Sequence, residues 1–324
     1  MRYLIMGSGA LGTVFGGLLR RAGQHVDFLG RGAHFDALRQ QGLTIDGIWG
    51  EVHLGPVATP PAGVRSWYDV VLLCVKSFDT QAACRRCQDL VQPRGLIISV
   101  QNGLGNLETI AQECPDATAV GARVIFGARI SRPGVATVTV YADKVLLGLP
   151  GTAAAPPRLP QVAAHLSQAG IPTAVVPDIL PHLWAKVLYN GALNPLGAIL
   201  GVTYGELATN PHTRQLMETL IAEMYAVATA KGVRLPHATA QDYCRHFFTD
   251  LVPPTAAHHP SMLQDLQHGR QTEIEALNGA ICRYARELGL ATPANEAICQ
   301  LVRFLERQAR GTRKDGSGSL PGAG

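Results

Sequence analysis

The sequence predicts an α/β chain, with a doubly wound parallel sheet in the N-terminal half and an all-helical C-terminal half. Three observations carry this reading. Short apolar strand-like runs alternate with helical stretches over roughly the first hundred residues. A glycine-rich turn follows the first of those runs. Strand signals stop after Pro177, and only helical patterns follow.

The elements can be justified in order. Tyr3 to Met6 is an apolar strand, Leu11 to Ala22 a helix, His25 to Leu29 a second strand and Phe35 to Gln41 a second helix. Val70–Val75 and Leu96–Val100 are continuous apolar runs of the kind found in parallel strands buried on both faces. The helix Thr80–Val91 between them completes a right-handed β-α-β crossover. Val124–Ile130, Val135–Tyr141 and Lys144–Leu149 are β-rich, separated by Pro133-Gly134 and Ala142-Asp143, and predict an antiparallel meander. Pro156–Ala169 reads as a helix and Thr173–Val176 as a strand. The remaining helices are Leu180–Leu200, Pro211–Lys231 capped by Asn210, Ala238–Leu251, Met262–Leu288, and Pro293–Arg310 with proline at its first position. Residues 1–177 are therefore the expected sheet domain and 178–310 the helical domain. Residues 311–324, rich in glycine and serine, are the expected flexible tail.

Composition narrows the function classes. The 324 residues suit two domains at about 100–200 residues each. With 47% hydrophobic and 16% charged residues, a disordered chain is excluded. The 28 basic and 24 acidic residues are interleaved, so the concentrated basic footprint of a nucleic-acid partner is missing. No apolar run reaches the ~20 residues of a membrane span. Val187–Gly201 comes nearest, but Asn190, Asn194 and Pro195 interrupt it. The first strand runs straight into glycines, which leaves no stretch for a signal peptide. The seven cysteines are irregularly spaced. Cys84 and Cys87 share a helix face without a second ligand pair, so no metal site is expected, and reduced thiols suggest a cytoplasmic protein.

Gly7-Ser8-Gly9-Ala10-Leu11-Gly12 follows the first strand and opens the first helix. In that context a GxGxxG turn marks a Rossmann-type dinucleotide site. The first glycine makes the turn, the second admits the pyrophosphate and the third lets helix and strand pack. The second strand ends Phe28-Leu29-Gly30-Arg31. An NAD enzyme would place a carboxylate there for the ribose 2′-hydroxyl, whereas an arginine suits a 2′-phosphate. NADP(H) is therefore the expected cofactor, with Asp27 read as structural. Lys76 and Asn102 follow the next two buried strands at their carboxyl ends, where such sheets bind ligands. Lys76 can serve the 2′-phosphate or the substrate, and Asn102 the nicotinamide ribose or the substrate. Ordinary loop chemistry explains either residue as well.

In the helical half, Lys186, Asn190 and Asn194 recur at i, i+4 and i+8 and share one face of a very apolar helix. Buried polar groups are costly without partners. The stripe is either a cleft wall for a polar, anionic ligand or a snorkelling lysine with two satisfied amides. Downstream, Ser261 can cap a helix and Asp265 can pair with Arg270. Glu273 and Glu275 would fall on different faces of the expected helix, so at most one faces a shared site.

Together these residues resemble the ketopantoate reductase (2-dehydropantoate 2-reductase) family. The matching pieces are GSGALG at 7–12, Arg31, CVKSFDT at 74–80, QNGLGN at 101–106, LWAKVLYNGALNPLGAI at 183–199 and SMLQDLQHGRQTEIEALNG at 261–279. The likeness extends from residue 1 to about 307. It implies NADPH-dependent reduction of 2-dehydropantoate to D-pantoate, a step in pantothenate and coenzyme A synthesis. It further implies Lys186 as proton donor and Glu273 as the active-site glutamate, orienting the substrate hydroxyl or nicotinamide ribose and complementing Lys186 electrostatically. Asn102, Asn190, Asn194 and Ser261 would be substrate ligands. The site is expected in a cleft where the two domains meet. Tyr204 stands where some members carry Asn, which leaves the substrate within the 2-keto acid class open. Rival readings are a reductase of another 2-keto acid, a non-catalytic NADPH sensor, and a 6-phosphogluconate- or glycerol-phosphate-type dehydrogenase. The last would need more arginines than the lysine helix offers. A homodimer is compatible with a helical second domain, although no residue pattern demands it.

Overall fold

The computed structural model describes residues 1–151 and 153–314. The chain divides into two compact units. One contains residues 1–101 and 105–183, the other residues 102–104 and the chain from Trp184 onward. Strand signals end near residue 177, but the first unit extends about a helical turn further, to Leu183.

The first unit contains β1 (Arg2–Met6), α1 (Ala10–Arg21), β2 (His25–Leu29), α2 (Gly32–Gln40), β3 (Leu43–Gly47), β4 (Val52–Leu54), β5 (Tyr68–Leu73) and α3 (Thr80–Cys87). It continues with β6 (Val91–Ser99), α4 (Asn106–Glu113), β7 (Thr118–Arg132), β8 (Val135–Gly148), α5 (Arg158–Gln168) and β9 (Thr173–Val175). The strands form one sheet in the order β2-β1-β5-β6-β7-β8-β3-β4, with β9 beside β8. Strands β2 through β7 in that order run parallel, and β1 lies in register with β5 through Tyr3–Val70 and Met6–Leu73. Tyr3, Ile5, Val70, Leu72, Leu96 and Ile98 are wholly buried, which is why these strands read as unbroken apolar runs. The doubly wound α/β expectation holds.

Two details differ from expectation. The short strands β3 and β4 extend the sheet beyond β8; their Leu43, Ile45 and Val52 are too few to stand out as a pattern. Ala142-Asp143 is not a turn but lies inside the single strand β8. Arg123 on β7 reaches across to the Asp143 carboxylate at 2.7 Å, which in turn accepts from the Lys144 N–H at 2.7 Å. The extra residues are absorbed as bulges around Ile125.

The second unit is helical, and α6 (Leu180–Leu200) leads into it. Its other helices are α7 (Tyr204–Thr209), α8 (Pro211–Ala230), α9 (Ala240–His246), α10 (Ser261–Gln267), α11 (Asn278–Glu287) and α12 (Pro293–Lys314). α6 tolerates Pro195 in its interior. A proline there cannot donate to the carbonyl of Gly191. The buried Asn278 side chain replaces that bond, donating to Gly191 O at 3.0 Å.

One continuous helix over Met262–Leu288 is not found. α10 ends at Gln267, and a 3₁₀ turn over Ile274–Ala276 precedes α11. Gly269 is left-handed at φ +59°, which stops the helix while the apolar pattern runs on. α12 continues through 311–314, where the tail was expected; residues 315–324 lie outside the described residues. No helix among the described residues is long and apolar enough to cross a membrane.

Candidate active site

In the first unit, β1 runs directly into the turn at residues 7–12. Gly7 adopts φ +103°, a region that side chains avoid, and a Cβ there would lie 2.6 Å from Val75 N. A Cβ on Gly12 would lie 2.0 Å from Gly7 O, so only glycine lets α1 start this close to β1. Gly9 is the opposite case, since a Cβ there would meet nothing within 4 Å. Space is therefore open at the one position where a phosphate must approach the backbone. Gly9 is also the N-cap of α1, and no side chain caps it. The first amides of the helix, from Ala10 and Leu11 onward, are thus left for an anion. Ser8 is buried beneath the turn. These residues fit the pyrophosphate of a dinucleotide.

At the end of β2, a Cβ on Gly30 would lie 1.9 Å from Ser8 Oγ and 2.9 Å from Phe35 Cγ, so a side chain there would require Ser8 and Phe35 to move. Arg31 follows, its side chain 83% exposed and paired with Asp79 at 2.7 Å. Asp79 ends the 3₁₀ turn Ser77–Asp79, for which Lys76 is the N-cap. The structure thereby brings Arg31 to the loop that carries Lys76. Asp27 is buried and accepts from Tyr68 Oη at 2.6 Å, so it is occupied inside the sheet.

In the second unit, Lys186, Asn190 and Asn194 lie on α6, the first two half-buried and Asn194 buried. Asn194 Oδ1 accepts a hydrogen bond from Tyr204 Oη on α7. Burial, and then the nearby Tyr189, push the Tyr204 phenol well above its ordinary value, so it stays protonated and donates. Tyr204 also packs edge-on against Tyr189 and, tilted, against the His258 ring. The residue that departs from the family pattern therefore touches an expected substrate amide directly.

Asn102 belongs to this unit although it follows β6 in sequence. Its loop is seated on the Ile274–Ala276 turn. Leu104 N–H donates to Ala276 O at 2.8 Å, and a Cβ on Gly103 would lie 2.4 Å from that same oxygen. Asn102 Nδ2 comes within 3.5 Å of Glu273 Oε2. Glu273 is the N-cap of the 3₁₀ turn, not a residue of a long helix, so the expectation that Glu273 and Glu275 occupy two faces of one helix does not apply. Glu275 is engaged by Arg303, whose Nε and Nη2 donate to its two carboxylate oxygens at 2.7 and 2.9 Å. Ser261 is exposed as the first residue of α10 and does not cap it. Asp265 faces Arg270 at 3.6 Å. The ties from α12 to Thr272 and Glu275 had no signal in the sequence, since they join segments about thirty residues apart.

A doubly wound sheet with this glycine turn, and a helical unit with a lysine–asparagine face, define a pyridine-nucleotide-dependent oxidoreductase. Comparison with known proteins narrows the class. The family described as "Ketopantoate reductase PanE/ApbA" matches residues 3–150, and its C-terminal counterpart matches residues 178–306. The chain belongs to the ketopantoate reductase family. It is 38% identical over 308 residues to a 2-dehydropantoate 2-reductase of Aquifex aeolicus, covering 94% of this chain and 97% of that one. The crystal structure of a PanE/ApbA family ketopantoate reductase from Ralstonia eutropha JMP134 superposes with TM-score 0.84 at 30% identity, covering 96% of this chain and 100% of that one. D-mandelate dehydrogenase, in a ternary structure with NADH and anilino(oxo)acetate, also reaches TM-score 0.84, at 25% identity over 95% of this chain and 99% of that one.

Proposed function

We propose that this chain reduces 2-dehydropantoate to D-pantoate with NADPH. The observation that carries the reading is the gathering, in one compact unit, of the α6 face bearing Lys186, Asn190 and Asn194 with Asn102 placed beside Glu273. Identity to a relative named for this reaction supports it along nearly the whole chain.

When bound, the nicotinamide supplies a hydride to the 2-keto carbon. The residues of this chain do the rest. The backbone of residues 7–12 (Gly7, Ser8, Gly9, Ala10, Leu11, Gly12) holds the pyrophosphate, and Arg31 and Lys76 hold the 2′-phosphate. Lys186, as an ammonium, stabilises the charge that develops on the carbonyl oxygen and donates the proton to it. Asn102, Asn190, Asn194 and Ser261 hold the substrate's carboxylate and hydroxyl. Glu273 orients the substrate hydroxyl or the nicotinamide ribose.

A second reading, reduction of a different 2-keto acid, draws on Tyr204. Its hydroxyl occupies one acceptor position of Asn194. The test is NADPH oxidation with a panel of 2-keto acids. Ketopantoate is expected to give the highest kcat/KM. A different acid ahead of it would favour the second reading, and equal efficiency with NADH would reject the cofactor assignment.

A further inference from the structure

α12 carries none of the residues assigned above, yet two of its side chains grip the short segment that presents Glu273. The Thr272 N–H and the Thr272 Oγ1 hydroxyl both donate to Glu306 Oε1, at 2.7 and 2.6 Å. Thr272 is 1% exposed, so water does not compete for these bonds. Its Oγ1 also accepts from the Ile274 N–H at 3.2 Å, which ties the start of the 3₁₀ turn to the same point. On the other side of Glu273, Arg303 holds the Glu275 carboxylate with two bonds. Arg283 Nη1 donates to the Glu275 backbone oxygen at 2.9 Å. Residues 303 and 306 are neighbours on one face of α12. Glu273 thus sits between two anchors at the N-cap of a single 3₁₀ turn, whose Ala276 and Leu277 N–H groups donate to its backbone oxygen at 3.0 and 3.2 Å. Ile274, the residue after Glu273, is buried at 1% exposure.

We infer that Glu306, acting through Thr272, is a positioning residue for Glu273, with the Arg303–Glu275 pair as a second tie. The inference rests on the role proposed above for Glu273. A carboxylate that must meet substrate or ribose loses effect when its backbone shifts by a fraction of an ångström. Misplacement of about 1 Å costs on the order of 100-fold in rate. Glu306 fixes the backbone nitrogen and side chain of the preceding residue at once. It therefore sets the direction in which Glu273 leaves the chain.

The test compares kcat, KM for ketopantoate and NADPH affinity in the wild type, Glu306→Ala, Glu306→Gln, Glu273→Ala and the double variant Glu273→Ala/Glu306→Ala. Glu306→Ala is expected to lower kcat at least ~10-fold with NADPH affinity unchanged. Glu306→Gln is expected to restore most of it, because an amide oxygen accepts the same two bonds. In the Glu273→Ala background, removing Glu306 should cost almost nothing more, since the group it positions is gone. A smaller loss in Glu306→Ala, no rescue by Gln, or an equal loss in both backgrounds would overturn the inference. If Glu306→Ala does not fold, Thr272→Val against Thr272→Ser decides by the same criteria, Ser keeping the hydroxyl that Val lacks. A wild type without reductase activity, or full turnover in Glu273→Ala, would sink the parent reading and this inference together. An active wild type, an impaired Glu273→Ala and a normal Glu306→Ala would sink the inference alone.

Discussion

The glycine turn of the first unit and the polar face of the second are built by opposite means. Residues 7–12 present backbone amides and leave out side chains: Gly7 and Gly12 have no room for a Cβ, and a Cβ on Gly9 would meet nothing within 4 Å. The second unit brings together side chains from distant segments, with Asn102 within 3.5 Å of Glu273 and Tyr204 bonded to Asn194. A backbone site is specified by one contiguous stretch. A side-chain site depends on every helix and turn that supports its members, and damage to any support is felt there. On the proposed reading, the first site binds and the second reacts, so variants in the two should separate affinity from turnover.

The largest effect expected is at Lys186. Lys186→Ala should lower kcat by about 10²–10⁴, the range for a lost proton donor, and leave NADPH affinity unchanged. Steady-state rates beside a fluorescence titration of NADPH check this. A fall in affinity instead of turnover would break the separation. Next is Gly12→Ala. A Cβ placed 2.0 Å from Gly7 O cannot be relieved by a side-chain rotation. Overpacking of this kind costs ~1–3 kcal/mol, or about five- to 150-fold in NADPH affinity. The same titration reads it, and an unchanged affinity would mean the turn does not hold the nucleotide.

Arg31→Ala sharpens the comparison further. Arg31 is exposed and paired with Asp79, so on the proposed reading a contact from it to a 2′-phosphate would be worth roughly tenfold. That loss should fall on NADPH and spare NADH; equal losses would remove the 2′-phosphate assignment.

The smallest effect concerns a support of the second site. Hydrogen bonds from Arg303, opposed by burial, hold the Glu275 carboxyl below its ordinary 4.5. A folded-state value below the unfolded one gives stability that is whole above about pH 4.5 and is lost as the pH falls through the lower value. The pair is about half exposed, so Arg303→Met should cost about 1 kcal/mol or less at pH 7. Denaturant melts should show that gap closing below about pH 4.5. A gap that widens in acid would contradict the pairing.

The same contrast explains what could be read in advance. The glycine turn was legible because six consecutive residues describe a backbone path, and its placement after an apolar strand removes most ambiguity. The α6 stripe was legible because Lys186, Asn190 and Asn194 repeat at helical spacing, and α6 has the expected bounds, Leu180–Leu200. The break after Gln267 was not legible. Met262, Leu266, Ile274 and Leu277 keep the apolar rhythm of a helix, and the left-handed Gly269 is indistinguishable in sequence from a tolerated helical glycine. The attachment of Asn102 to the helical unit was hidden for a related reason. It depends on Gly103 lying against Ala276, a contact across more than 170 residues. β8 reads as two strands in the sequence because Ala142-Asp143 has the composition of a turn, whereas the ladder pairing of Asp143 with Ile125 shows that the strand continues.

The most direct test follows the transferred atom. The chain is mixed with ketopantoate and NADPH deuterated at both C4 positions, and the product is examined by mass spectrometry and NMR. The account predicts pantoate with one deuterium, located on C2. Unlabelled pantoate, or no pantoate while the chain still binds NADPH, would contradict it.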